Sequence, residues 1–339
     1  MKLKRLLLLT AFVTAFGALQ AQDIHFSLFN MSPLSLNPAL TGAYPGTARI
    51  GGIYRDQWAS FLPNQFTTPS FFIDAPIIRG FRKNDWVGVG MLTINDQAGT
   101  SRMRTSVNMF SASYHLALDK DAKTVLTLGL QGGSVQRSFS FDDLIFADES
   151  ELTGGMPGSS QDRNINTNTS YLDFGTGLML RTQLSNQSNI EAGLAFGHIT
   201  RPKGAAFQVT DDDDARRPMR IAAHATYHTK LTDQWSLSPT AFYQTTGGAT
   251  ELAIQGWTGY QLKPEIKLNF GLGYRVADAG QVLLGLDYED LRVALSYDVN
   301  VSSLSEVSRY QGGFEIAAWY ILKIFKQPDT RPSIICPQF

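Results

Sequence analysis

Ile266-Lys-Leu-Asn-Phe-Gly-Leu-Gly-Tyr-Arg275 is the stretch that decides the fold class. Successive side chains of an extended strand point to opposite faces. Ile266, Leu268, Phe270, Leu272 and Tyr274 therefore share one face, and Lys267, Asn269, Gly271, Gly273 and Arg275 share the other. Residues 220–231 repeat the pattern, with Ile221, Ala223, Ala225, Tyr227, Thr229 and Leu231 opposing Arg220, Ala222, His224, Thr226, His228 and Lys230. In 291–299, Leu291, Val293, Leu295, Tyr297 and Val299 oppose Arg292, Ala294, Ser296 and Asp298. A soluble β-sandwich also alternates, but its outer face is rich in Lys and Glu. Here the polar face is thin in charge and rich in Gly, Ala, Ser and Asn. The apolar face carries Tyr54, Tyr114, Tyr227, Trp235, Tyr243, Tyr260, Tyr274, Tyr288 and Tyr320. Lipid-facing apolar residues, aromatic girdles and a polar lumen combine in this way in a membrane barrel.

Fourteen such segments run along the chain: 48–58, 69–78, 85–95, 105–118, 124–138, 170–182, 189–200, 219–231, 234–245, 250–262, 265–276, 280–288, 291–299 and 312–323. The number is even, as in single-chain bacterial barrels, and each segment matches the roughly 9–11 residues of a tilted crossing. The expected fold is all-β: an up-and-down antiparallel transmembrane barrel of about 14 strands with both termini periplasmic. Connection lengths agree. The even connections Arg79–Asn84, Asp119–Lys123, Gln183–Ser188, Thr232–Asp233, Lys263–Pro264 and Glu289–Asp290 are all short. The long ones, Ala59–Thr68, Phe139–Thr169, Pro202–Pro218 and Asn300–Gln311, are all odd, although Thr246–Ala249 and Ala277–Ala279 are odd and short. A large periplasmic β-sandwich is the alternative fold.

Composition bounds the function. The 339 residues are 17% charged and 43% hydrophobic, with a net charge of −1. Ordinary soluble proteins are roughly 25% charged. The near-neutral balance leaves no electrostatic footprint for nucleic acid. A single cysteine, Cys336, excludes an intrachain disulfide and a cysteine-based zinc site. The mean hydropathy of −0.12 reflects cancellation between alternating faces. Met1-Lys-Leu-Lys-Arg5 followed by apolar Leu6–Leu19 and Ala18-Leu-Gln-Ala-Gln22 reads as a secretory signal. The expected organisation is a signal peptide over 1–21, an N-terminal periplasmic or lumenal segment over 22–46, the barrel over 47–323, and a periplasmic tail over 324–339. The segment from Asp23 to Gly46 and the tail both lie outside the alternating region and are expected to face the periplasm.

No catalytic, cofactor or metal set emerges. His224 and His228 sit four apart on a strand, which separates them by roughly 13 Å, so they cannot share an ion. His25, His115 and His198 have no partner legible in the sequence. Asp211-Asp-Asp-Asp214 lacks the glycine and distal glutamate of a calcium loop, and reads as a solvated charge run. Gly271-Leu-Gly273 and Gly175-Thr-Gly177 lie inside strands, where glycine marks crowding rather than a phosphate loop. No Gly-x-Ser-x-Gly and no His-Glu-x-x-His occurs. The inward ionisable set is Asp173, Arg181, Glu191, Arg220, Lys230, Glu251, Lys267, Arg275, Asp287, Arg292, Asp298 and Glu315. Its signs balance, whereas a selective pore often carries a ring of one sign. The balance points to a lumen knitted by ion pairs, and the sequence fits both an open and a plugged lumen.

Several dispersed motifs carry a resemblance. They are Asp23-Ile-His-Phe-Ser27, Asn37-Pro-Ala-Leu-Thr-Gly42, Tyr54-Arg-Asp-Gln-Trp58, Gly88-Val-Gly90 with Asp96 and Gly99, Gly273-Tyr-Arg275, Ala277-Asp278-Ala279, Tyr297-Asp298, Gly313-Phe-Glu-Ile316 and Cys336-Pro-Gln-Phe339. Through them the chain resembles the PorP/SprF family of outer-membrane proteins of the Bacteroidetes type IX secretion system, over nearly its whole mature length. Gln338 stands where a basic residue is common in the family. The resemblance implies a non-enzymatic role in protein secretion or gliding. It also implies partners: the outer-membrane bilayer, type IX components including a periplasmic peptidoglycan-binding lipoprotein, and a surface adhesin with a C-terminal secretion domain. The motif positions Asn37, Pro38, Gly42, Arg55, Gln57, Trp58, Arg275, Asp278, Asp298, Glu315, Cys336, Pro337 and Phe339 are expected to serve structure or docking. A porin-like or hydrophobic-solute transport barrel is the alternative function. An outer-membrane enzyme would need a Ser/His/Asp-type cluster near one rim, which the sequence does not show.

Overall fold

A computed structural model describes residues 24–59, 62, 66–79, 84–99, 102–140, 167–203, 216–302 and 305–324. Its strands are β1 (Ala48–Gln57), β2 (Phe66–Arg79), β3 (Trp86–Ala98), β4 (Met103–Ala117), β5 (Thr124–Ser138), β6 (Asn168–Gln183) and β7 (Ser188–Gly197). They continue as β8 (Arg220–Lys230), β9 (Trp235–Thr246), β10 (Ala249–Lys263), β11 (Ile266–Arg275), β12 (Ala279–Tyr288), β13 (Leu291–Asn300) and β14 (Gln311–Leu322). Every strand pairs antiparallel with its sequence neighbours, and β1 closes on β14 with Ala48 opposite Leu322. Closure leaves no free sheet edge.

The register puts the expected faces where alternation assigns them. Phe270, Leu272, Tyr274, Leu284, Phe314 and Tyr320 are exposed on the outer wall, while Arg275, Gln281, Asp298 and Glu315 are buried inside. Trp235 and Tyr260 meet on the outer face with ring centroids 4.8 Å apart. The connections 58–65, 139–167, 198–219 and 301–310 all leave one rim, together with the short turns 99–102, 247–248 and 276–278, and every connection at the other rim is short. At the short-turn rim the Thr47 amide donates to the Leu322 carbonyl, so the chain enters and leaves the barrel side by side.

Most boundaries fall within three residues of the sequence reading, and two of the differences have a local reason. The seventh strand stops at Gly197, not at residue 200, because His198 takes a left-handed φ of 55° and turns its ring onto Asp173. The third strand runs on to Ala98, three residues beyond its expected end, because 95–98 continue the ladder with Met103–Ser106 of β4.

Of the periplasmic and lumenal placements expected for the N-terminal segment, the lumenal one is observed, and its start at Ile24 and His25 lies at the long-loop mouth instead of facing the periplasm. Residues 24–46 lie inside the barrel. Phe26, Leu28, Leu34, Asn37, Ala39 and Thr41 are buried, and their neighbours come from strands on every side of the ring. Leu34 packs with Phe72, Leu92 and Met109, and Leu28 with Ile53, Leu283 and Ala317. Phe29 stacks on Phe242 with centroids 5.0 Å apart. A segment that touches opposite walls of a closed barrel can only be in its lumen. The small inward residues Ala195, Ala222, Ala253, Ala294 and Ala317 leave the space it fills. The hydrophobic core therefore sits between plug and wall, and each fully buried apolar side chain there contributes about 1.5–3 kcal/mol.

Candidate functional site in the plugged lumen

The plug has no long regular element. A 3-10 turn (Phe29–Met31), one helical turn (Pro33–Leu36) and a second 3-10 turn (Pro38–Leu40) follow one another. Such a chain leaves many backbone groups unpaired by its own structure, and burial demands that the wall satisfy them. The inward polar residues do so.

Asn37 is the pivot of the middle of the plug. Its Oδ1 accepts from the Ala39 amide at 2.9 Å and caps the turn that Pro38 begins. That bond orients the amide, so Nδ2 donates to the Leu178 and Leu194 carbonyls and to His224 Nε2 at 3.2 Å. His224 is thereby assigned the tautomer with its proton on Nδ1. Gly177 makes this approach possible: a Cβ there would collide with Asn37 Oδ1. The family motif thus reaches across the lumen to glycines and a histidine outside it.

Gly42 ends the plug. Its φ of 65° favours glycine, and its amide donates to Asp74 Oδ2 at 2.7 Å. Asp74 also takes a two-pronged contact from Arg49, Nε at 3.0 Å and Nη2 at 2.8 Å. Arg49 Nη2 reaches the Leu40 carbonyl as well. The Trp86 indole donates to the Gly42 carbonyl at 2.9 Å, and its ring stacks on His115. His115 Nε2 lies 2.8 Å from the Thr41 carbonyl, which can only accept, so that nitrogen carries the proton. Burial holds the Tyr44 hydroxyl above its ordinary titration range, and it donates to the Asp74 carbonyl.

The start of the plug meets the densest charge cluster. Glu315 accepts from the Ser27 and Leu28 amides, both at 2.7 Å, and from Arg55 Nη1 at 2.9 Å. Asp298 Oδ2 accepts from Ser27 Oγ and from Arg275 Nη2, both at 2.7 Å. Arg275 also pairs with Asp278 at 2.5 Å, and Gln255 donates to the Ser27 carbonyl at 2.7 Å. Gln57 accepts from Arg55 at 3.3 Å. Trp58 closes β1 with a φ of 62° and stands edge-on to Phe66.

Four motif positions, Arg55, Arg275, Asp298 and Glu315, converge on Ser27 and Leu28, with Asp278 and Gln57 one contact further out. Asn37, Pro38 and Gly42 lie deeper along the same plug. Cys336, Pro337 and Phe339 lie outside the described residues, as does Asp211–Asp214. The inward ionisable set pairs as Arg181 with Glu191 and Arg292 with Asp287, and each arginine contacts its carboxylate at 2.5 Å. His228 bonds Ser238, apart from His224. Among the described residues no group of three or more metal-ligating side chains occurs. Sequence reasoning missed Arg49, Asp74 and Gln255, and gave Ser27 only as the end of a motif. The signal existed for Arg49 and Asp74. Arg49 shares the parity of Arg55 on β1, and Asp74 is its register partner on β2.

The barrel resembles known membrane barrels in fold. It is similar to the toluene transporter TbuX of Ralstonia pickettii, at 11% identity over 86% of this chain and 94% of that one, with a TM-score of 0.50. It is equally similar to the CymD monoaromatic hydrocarbon channel, at 11% identity over 89% and 95%, with a TM-score of 0.50. At such identity the likeness shows the fold alone. No curated protein matches the chain in sequence. The family model of the type IX secretion system membrane protein PorP/SprF matches residues 18–320, a span holding the plug, thirteen strands and all but the last two residues of β14, and the charge cluster, and the chain belongs to that family.

Proposed function

We propose that this protein is a non-enzymatic outer-membrane barrel that docks type IX secretion components or a cognate surface adhesin. The observation that carries the reading is the plug. A segment held by Glu315, Asp298, Asn37, Arg49 and the Asp74 carboxylate occupies the lumen that a passive pore would keep open. Docking then belongs to the rims and loops. In this reading the end of β14 faces the periplasm at the short-turn rim, where a peptidoglycan-binding lipoprotein is reached, and the plug begins at the opposite mouth with Ile24 and His25. The long connections 139–167 and 198–219 face outward, towards an adhesin with a C-terminal secretion domain. The exposed apolar wall and the placement of all long connections at one rim support this orientation.

Deletion of the gene is expected to abolish secretion or surface display of one adhesin, with restoration by the complementing gene. Unchanged display in the deletion strain refutes the reading. Co-purification from native membranes is expected to recover that adhesin or a periplasmic component. The second reading is a transport barrel, favoured by the likeness in fold to a toluene transporter and a monoaromatic hydrocarbon channel. Planar-bilayer recordings separate the two. The docking reading expects no steady current from the intact chain, and large steady currents support transport.

A further inference from the structure

A cavity of about 340 Å³ lies between the plug and the short-turn mouth. Phe29, Met31, Leu36 and Leu40 of the plug form its inner wall. Asn189, Lys267 and Arg292 line it too, and each is the second residue of a strand that starts at a short turn. The cavity therefore reaches that mouth. Two donors in it are left without an acceptor.

The first is His224, which is 5% exposed. Asn37 Nδ2 donates to its Nε2, so the ring proton sits on Nδ1. That N–H has no hydrogen-bond partner among the described residues, and the ring lines the cavity. A buried donor left unpaired is costly, so the site favours a guest that brings an acceptor. Glu191, also in the lining, is held by Arg181.

The second is the Lys267 ammonium. The arginines of the lining each have a carboxylate: Arg49 has Asp74, Arg181 has Glu191 and Arg292 has Asp287. Asp287 is the register partner of Lys267, yet both of its oxygens are taken by Arg292. Lys267 makes no ion pair among the described residues. It feels the attraction of Asp287 and the repulsion of Arg292 and Lys230, so three cations share one carboxylate. Gly259 gives the lysine its place, since a Cβ there would collide with Lys267 Cε. The field at this end of the cavity is positive and favours an anion.

We propose, building on the docking reading above, that this cavity receives an acidic peptide segment of the docked periplasmic partner. A glutamate or aspartate carboxylate pairs with Lys267, and a main-chain carbonyl accepts from His224 Nδ1. Trp257 and Trp319, also in the lining, give the apolar parts of such a segment their surface.

The test uses the purified full chain in detergent micelles and three probes: Nα-acetyl-glutamate methylamide, its neutral isostere Nα-acetyl-glutamine methylamide, and inorganic phosphate. Ligand-observed NMR titration reads binding. The glutamate probe is expected to bind about tenfold more tightly than the glutamine one. Lys267→Met keeps the stem over Gly259 and is expected to remove that preference while retaining the heat-modifiable mobility of a folded barrel. Lys263→Met removes the same charge from the same rim outside the cavity and is expected to leave the preference unchanged. In protein labelled with ¹⁵N-histidine, the His224 Nδ1 resonance is expected to shift with both peptide probes. Equal binding of the two peptide probes overturns the proposal. So does a preference that survives Lys267→Met or is lost in Lys263→Met, a His224 resonance that no probe moves, or tighter binding of phosphate than of the glutamate probe. A preference that emerges only after removal of residues 325–339 gives the site to this chain's own tail and overturns the assignment to a partner. If Lys267→Met fails to fold, Asn269→Asp supplies the second variant. A tethered carboxylate two residues along the same face is expected to block the glutamate probe, and undiminished binding there overturns the proposal. Probe binding by a protein whose deletion leaves display intact would sink the docking reading and keep the site. A display defect in the deletion strain without probe binding would do the reverse.

Discussion

Glu315→Gln isolates what holds the start of the plug. The carboxylate is 1% exposed and accepts three bonds, from the Ser27 amide, the Leu28 amide and Arg55. A glutamine is nearly isosteric, but one of its two head atoms donates. At least one of the three donors then faces another donor, and Arg55 loses its closest counter-charge, with Asp298 4.0 Å away. A hydrogen bond to a charged group is worth about 1.5–3 kcal/mol, and breaking one partner of a buried ion pair costs about 3–5 kcal/mol. Taking the common value of about 3 kcal/mol, local opening of the plug start becomes about 100-fold more frequent. The second half of the plug has separate anchors in Asn37, Thr41 and Gly42 and is expected to stay put. Hydrogen–deuterium exchange with peptide resolution reads both halves in one experiment. The expected result is exchange about two decades faster over residues 24–31, with residues 36–43 unchanged. Unchanged protection over 24–31 refutes the anchoring argument. Simultaneous loss over both halves refutes the claim that the plug is held in two independent places.

Three further outcomes follow from the same geometry. Gly177→Ala drives a methyl into Asn37 Oδ1 and is expected to cost about 1–3 kcal/mol, read as a lower unfolding temperature in heat-modifiability gels. Arg49→Leu strips the Asp74 carboxylate of its arginine and is expected to destabilise the folded barrel by about 3–5 kcal/mol, whereas Arg49→Leu with Asp74→Asn recovers part of that loss in denaturant titrations. Asp119 sits in the 118–123 turn, where backbone bonds from Lys123, Thr124 and Asp121 hold its carboxyl below the usual aspartate range. A depressed folded value means that its contribution to the turn is present above the unfolded value and lost as pH falls through the folded one. A side-chain NMR titration is expected to give Asp119 a midpoint below the ordinary aspartate value.

How much was legible depends on the range of the interaction. The strands were, because Ile266–Arg275 and its counterparts write their two environments into adjacent residues. Inward parity alone places Arg275, Asp298 and Glu315 in the lumen. Asn37, Pro38 and Gly42 could be singled out as motif positions, but their partners could not. Asn37 bonds His224, 187 residues away, and Ser27 bonds Glu315, 288 residues away. Nothing in the segment 24–46 has a period, since a plug made of single turns takes its contacts one at a time.

By itself, then, the sequence determined the all-β class, the strand number, the two faces and the family. Those properties rest on local alternation and on motifs that each strand carries alone. Only the tertiary structure decided where residues 24–46 go and which carboxylate answers which cation. Closure of the ring brings β1 against β14 and surrounds the segment with walls from distant parts of the chain. Burial then sends the Ser27, Leu28 and Gly42 amides, which the plug's own turns leave unpaired, to the wall carboxylates of Glu315 and Asp74.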